Sequence, residues 1–138
     1  MSYSLSFWQG ISIIVYTAVK VEHGYTDFVP TRQLSESLDI PIPTAVKILQ
    51  SLNRTGLTET REGAKGGIRL AKKPEEITLL DVFHAIEHDR PLFRTKMPTS
   101  LTNDFATMVI EKMTASLQQS EQSMKSSLNQ VTIADLFR

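Results

Sequence analysis

The stretch Thr31 to Ala71, TRQLSESLDIPIPTAVKILQSLNRTGLTETREGAKGGIRLA, decides the fold, because three local signals follow one another within it. Leu34 and Leu38 stand one helical turn apart, which predicts a helix of about two turns over Thr31 to Leu38 with both leucines on its buried side. Asp39-Ile40-Pro41 breaks that helix, since the proline ring drives Ile40 out of the helical region. Pro43 suits the first turn of a following helix, where a missing N–H costs nothing. In that helix Ala45, Ile48, Leu49 and Leu52 recur at i, i+3, i+4 and i+7 and form the inward stripe, and Gly56 supplies a left-handed stop. Leu57 to Arg61 and Ile68 to Ala71 then read as short strands joined by the tip Gly63-Ala64-Lys65-Gly66-Gly67. On the second strand Ile68 and Leu70 face one way and Arg69 the other. Helix, turn, helix and hairpin in this order form a winged helix-turn-helix, a mainly α (α+β) fold with a two-stranded β wing.

The outward face of the second helix of the pair follows by subtraction and carries Pro43, Thr44, Val46, Lys47, Gln50, Ser51 and Arg54. Such a helix end can enter the major groove of double-stranded DNA, where Gln suits adenine, Lys suits guanine and a Thr methyl can touch thymine. Around it, Lys65, Arg69, Lys72 and Lys73 are placed to hold phosphates, and Arg61 at the end of the first strand joins the DNA-binding set. Gly66 and Gly67 would let backbone N–H groups approach the same target. The chain is neutral overall, yet residues 31 to 73 hold eight basic against four acidic side chains, leaving seven against eleven elsewhere. A basic module joined to an acidic remainder is what a duplex-binding face needs. The bland rival for each of these features is an ordinary solvated surface.

Working outward, Phe7, Ile11, Ile14, Val15 and Ala18 have the spacing of an amphipathic helix, with Ser4 or Ser6 as cap, ending near Gly24. Residues 24 to 30 read as a connector. Beyond the wing, Thr78-Leu79-Leu80-Asp81 is a capping-box variant opening a fourth helix along Leu79, Val82, Phe83 and Ile86 to about Glu87. Pro91 and Pro98 bracket a loop, and from Thr99 a long helix carries Leu101, Phe105, Met108, Met113, Leu117, Met124 and Leu128. An apolar seam on a helix with so few partners suggests pairing with a second copy of the chain, or folding back on the first helix. The domain reading is therefore a DNA-binding unit at 1–87, a hinge loop at 88–98, and a dimerisation helix with its tail at 99–138.

With 138 residues the chain can bury a sizeable core. It contains no cysteine, which excludes disulfides, thiolate-bound zinc, cysteine-ligated iron-sulfur clusters and a cysteine nucleophile. No apolar run approaches the roughly 20 residues of a membrane span, and the N-terminus lacks a signal-peptide pattern, so a soluble cytoplasmic protein with no membrane partner is expected. Gly63 to Gly67 is a poor phosphate loop, since a strand and no Lys-Ser/Thr pair follows. Asp81, His84 and His88 share one side of the fourth helix and could touch a metal, though a solvated face explains them as well. Phe7 and Trp8 could line an effector pocket or simply anchor packing. No nucleophile-elbow pattern suggests catalysis. A protein-docking module, and a metal- or ligand-binding protein built on the histidine helix, are the alternatives to DNA recognition.

The segments IPIPTAVKILQSLNRTGL at Ile40 to Leu57, EGAKGGIRLAKKPEEITLLDVFHAIE at 62 to 87 and LNQVTIADL at Leu128 to Leu136 resemble the Rrf2 family of bacterial winged-helix transcription regulators over nearly the whole chain. The resemblance implies a homodimer joined by the long C-terminal helices, acting as a repressor whose two recognition helices read a partly palindromic operator. Thr44, Val46 and Lys47 match recognition-helix positions that face bases or phosphates, and Gly66 and Gly67 match the wing glycines. The family's wing arginine falls on Glu62, with Arg61 one residue earlier. The three sensor cysteines of some members, expected between the fourth helix and the long one, are absent, so the resemblance implies no cofactor here. A metabolite, a partner protein or no ligand at all remain open as the effector.

Overall fold

The periodic apolar stripe near the N-terminus folds as α1, Leu5–Glu22, whose Ile13 and Ile14 are fully buried. The computed structural model describes residues 5–24, 26–88, 90–100 and 103–138, so of the two suggested caps Ser4 lies outside the described residues and Ser6 falls inside the helix instead of capping it. Helices α2 (Thr31–Leu38) and α3 (Ile42–Arg54) follow the expected bounds closely. Between them Asp39 adopts the left-handed conformation, and the Ser35 hydroxyl donates to the Ile40 carbonyl at 2.6 Å. A side-chain bond across a turn this short fixes the angle at which α3 leaves. The wing consists of β1 (Thr58–Arg61) and β2 (Gly67–Leu70), antiparallel, with Thr58 opposite Leu70, Glu59 opposite Arg69, Thr60 opposite Ile68 and Arg61 opposite Gly67. Leu57 and Ala71, expected inside the strands, flank them and are joined by the Ala71 N–H donating to the Leu57 carbonyl.

The connector is not featureless. Val29 exchanges both backbone hydrogen bonds with Ile68, at 2.7 and 2.8 Å, and so adds a one-residue third rung to the wing sheet. A lone valine between Phe28 and Pro30 carries no periodicity, which is why the pairing is invisible in sequence.

After a single 3-10 turn at Pro74–Glu76, α4 spans Leu79–Glu87. Its capping box forms as expected: the Asp81 N–H donates to the Thr78 hydroxyl and the Thr78 N–H to the Asp81 carboxylate. The long helix α5 runs Asp104–Asn129, about 39 Å. It starts five residues later than Thr99 because Asn103 caps it, its side-chain oxygen accepting the Ala106 N–H at 2.7 Å. No residue of α5 is buried.

The tail beyond α5, grouped by sequence with the long helix, returns to the N-terminal unit. The Ile133 N–H donates to the Ile77 carbonyl at 2.8 Å and the Leu79 N–H to the Val131 carbonyl at 2.9 Å. Ile133 is fully buried in the same core as Ile13, Leu34, Leu52, Ile68 and Val82. Past a last 3-10 turn, Ala134–Leu136, the Arg138 guanidinium pairs with Glu22 at 2.5 Å and with Glu75. Among the described residues no helix is long and apolar enough to cross a membrane.

Candidate nucleic-acid interface

Helix α3 divides cleanly between core and surface. Ala45, Ile48, Leu49 and Leu52 are all buried, which fixes the rotation of the helix about its axis. The opposite face carries Pro43, Val46, Lys47, Gln50 and Arg54 exposed, with Thr44 and Ser51 half-buried at its edges. Ile42 joins this face at 49% exposure and Val46 at 41%, an unusual cost for apolar side chains on a helix with no protein above it. The sequence reading of the outward face begins at Pro43 and leaves Ile42 out. Its neighbour Pro41 and its position outside the inward stripe are the signals that could have placed it on the face. Two exposed branched side chains beside Thr44, Lys47 and Gln50 give a surface able to meet thymine methyls and base-edge polar groups together.

Arg54 lies at the far end of the face, where its guanidinium donates to the His88 ring at 2.8 Å. That bond draws it toward the end of α4. Lys47 and Lys65 are exposed, and no carboxylate pairs with either among the described residues.

On the wing the glycines are architectural. Gly66 is buried, its N–H donates to the Gly63 carbonyl at 3.0 Å, and a Cβ there would stand 2.0 Å from the Arg61 carbonyl oxygen. A Cβ on Gly67, whose φ is +145°, would lie 2.2 Å from the Val29 carbonyl oxygen. Both positions let strands approach closely, and the buried Gly66 N–H is directed inward rather than toward a ligand. Arg69 also departs from expectation. It does not stand free in solvent but pairs with Glu59 directly across the ladder and lies over the Phe28 ring, 4.8 Å from its centroid. Arg61 lies over the same ring at 5.4 Å. Phe28, at the edge of the connector, has no signal in sequence because its partners are 33 and 41 residues away. Lys72 and Lys73 are exposed beside a cleft of about 330 Å³ between the end of α1 and β2, which Glu22, Glu75 and Arg138 also border.

The rival sites lose their chemistry. The Asp81 carboxylate is engaged in the α4 cap and the His88 ring receives Arg54, and among the described residues no three His, Asp or Glu side chains gather where they could hold a metal ion. Phe7 packs edge-on against Phe83, with centroids 5.4 Å apart, and Trp8 is 70% exposed, so the two line no common pocket. Tyr16 joins α1 to α2 through Gln33, which donates to its hydroxyl at 2.9 Å, and Ser37 at 3.0 Å. Burial tends to raise its pKa, but these hydrogen bonds and nearby Lys20 leave the phenol below its ordinary value. On α5, Phe105, Met108 and Met113 are exposed, joined by Val109, while Leu117 and Met124 are half-buried; Leu101 lies outside the described residues.

A family model described as "Rrf2: Iron-dependent Transcriptional regulator" matches residues 5–138. The HTH-type transcriptional regulator NsrR of Shouchella clausii is 32% identical over 82 residues, covering 59% of this chain and 53% of that protein. The slr0846 chain of Synechocystis sp., named for an HTH-type transcriptional regulator, is 29% identical over 107 residues, 77% of this chain and 69% of that one. The match thus spans between half and about two thirds of these relatives' length. Among solved structures, CymR, described as the global cysteine regulator of B. subtilis, superposes with a TM-score of 0.70 at 20% identity, covering 99% of this chain and 95% of that one. IscR of T. potens superposes with a TM-score of 0.67 at 20% identity, covering 99% and 85%. The iron in the family's description finds no matching donor set: there is no cysteine, and the histidine helix offers no cluster among the described residues. With the winged fold, the exposed α3 face and a match over almost the full chain, this protein belongs to the Rrf2 family of DNA-binding transcriptional regulators.

Proposed function

We propose that the chain acts as a homodimeric repressor that occupies a partly palindromic operator, with α3 of each copy in a major groove and the wing against the flanking backbone. The observation that supports this reading best is the split of α3: its apolar stripe is wholly committed to the core, leaving Thr44, Val46, Lys47 and Gln50 outward on a rigid helix. Thr44, Lys47 and Gln50 specify sequence, while Lys65 and Arg61 hold phosphates. The exposed seam of α5 joins the two copies and sets the distance between their reading helices. The protein works in the cytoplasm, where its operator lies. Its signal, where it has one, is a metabolite or partner protein rather than a cysteine-held cluster, and acts at the 84–100 hinge by altering the separation of the two α3 helices.

Selection of bound duplexes from a random pool tests the proposal. A palindrome with half-sites one helical turn apart, or a multiple of it, is the expected product. Lys47→Ala should then lower affinity for that operator and change the preferred base at one position in each half, whereas Lys65→Ala should weaken all duplexes alike. Selection yielding no common sequence, with affinity flat against salt, would favour a protein-docking module instead.

A further inference from the structure

Residues 28, 61 and 69 come from three separate segments, yet the wing brings them to one face. Val29 and Ile68 are both fully buried and hydrogen-bonded to each other in both directions, so their side chains point into the core. Alternation along a strand then turns Phe28 and Arg69 to the opposite side. Glu59 is opposite Arg69 in the ladder, and Arg61, two residues along β1 from Glu59, shares that outer face. The Phe28 ring, only 9% exposed, lies beneath both guanidiniums, 5.4 Å from Arg61 and 4.8 Å from Arg69.

The two arginines differ in charge balance. Arg69 is matched by Glu59, whereas no carboxylate pairs with Arg61 among the described residues. Arg61 and Lys65 stand on the wing side of a cleft of about 290 Å³, with Phe28, Thr26 and Asp27 on the connector side. An aromatic face holds a guanidinium without neutralising it, so the charge stays available to an anion. An arginine on a two-stranded ribbon would otherwise sample many rotamers and lose that freedom on binding.

We propose that Phe28 is a positioning residue for DNA binding, its ring holding Arg61 extended toward the duplex backbone while the Arg69–Glu59 pair braces the ring from the other side. The inference rests on the DNA-binding reading and assigns the wing's phosphate contact to Arg61 rather than Arg69. It also explains the welding of the connector to β2: the reciprocal Val29–Ile68 bonds, and the glycine at 67 that permits them, fix the ring's place under the arginines.

The test is binding of the selected operator, and of an unrelated duplex, by full-length wild type, Phe28→Leu, Phe28→Met, Phe28→Tyr, Arg61→Ala, Arg69→Ala and the Phe28→Leu/Arg61→Ala double variant. Phe28→Leu and Phe28→Met should weaken both duplexes by roughly two- to fivefold, with base preference unchanged, and Phe28→Tyr should restore wild-type affinity. Arg61→Ala should flatten the slope of log affinity on log salt by about 0.9, the amount expected when one phosphate fewer is neutralised, and Arg69→Ala should leave it unchanged. In the double variant the Phe28 change should add nothing to Arg61→Ala. Additive losses, or wild-type affinity in both Phe28→Leu and Phe28→Met, would overturn the proposal. A measurement on the wild type needs no variant: the Arg61 Nε–H resonance should lie upfield through the ring current of Phe28, and an unshifted resonance overturns the stacking. Wild type that binds no duplex at all would instead sink the DNA reading itself.

Discussion

Arg54, the last residue of α3, donates a hydrogen bond to the ring of His88, the left-handed residue that ends α4, with 2.8 Å between Nη2 and Nδ1. The bond ties the end of α3 to the end of α4, where the chain leaves the helices around the wing. His88 sits at φ +55°, so its backbone is strained by about 1 kcal/mol that a glycine would not feel. We expect His88→Gly to leave stability within about 1 kcal/mol of wild type, because relief of the backbone offsets loss of an exposed hydrogen bond. His88→Ala loses the bond and keeps the strain, and should be about 1 kcal/mol less stable than the glycine variant. Urea unfolding distinguishes them, and equal midpoints for the two would refute this division.

Gly66 and Gly67 should not tolerate a side chain. In each case the added Cβ meets a backbone carbonyl, which cannot rotate away as a flexible side chain could. Gly66→Ala and Gly67→Ala should each cost about 2 kcal/mol or more and open the wing. Gly24, at φ +73° with open space around it, should lose only about 1 kcal/mol on the same change. Hydrogen exchange at the Val29 and Ile68 amides reports the opening, and unchanged protection in the Gly67 variant would contradict the tight packing there.

Ile133 should matter to the core under the wing as much as residues of α1 to α4 do. Its side chain is fully buried among core groups from α1 to α4, so Ile133→Ala should cost roughly 2–5 kcal/mol. Leu136→Ala, at a half-exposed position three residues on, should cost less than about 1 kcal/mol. Thermal unfolding followed by helical signal tests both. Equal small effects would mean that the tail is loosely attached.

The α5 seam should govern assembly without governing folding. Phe105 is 72% exposed and Met113 58%, so Phe105→Lys and Met113→Glu disturb little within one chain. We expect melting of the isolated chain to change little and the mass in sedimentation equilibrium to fall to that of one copy. Leu117→Asn and Met124→Asn, at half-buried positions, should do the same with some loss of stability. A mass unchanged by all four substitutions would place the contact between copies elsewhere.

The features legible in sequence are those fixed by neighbours along the chain. The stripe Ala45, Ile48, Leu49, Leu52 announces its helix and its orientation, Pro43 its first turn, and Thr78 with Asp81 the cap of α4. What escapes depends on distant partners. Val29 is extended because Ile68 accepts and returns its hydrogen bonds. Ile133 is core because Ile77 and α4 leave room for it. Arg69 reads as a free cation because Glu59, ten residues earlier, comes opposite only once the hairpin's register is set. The start of α5 is misplaced for a simpler reason: a run of helix-compatible residues after Pro98 hides the stronger cap at Asn103.

The return of the tail has a mechanical meaning. A rod hinged at one end sweeps an arc; a rod held at two points travels only with its mount. About two thirds of the way along, α5 is held by the Leu92 amide donating to Glu121, and past its far end by Ile133 in the core and Arg138 across Glu22 and Glu75. If two copies pair along this rod as proposed, the resting pitch between their α3 helices is cut by the rod's geometry rather than by slack in a tether.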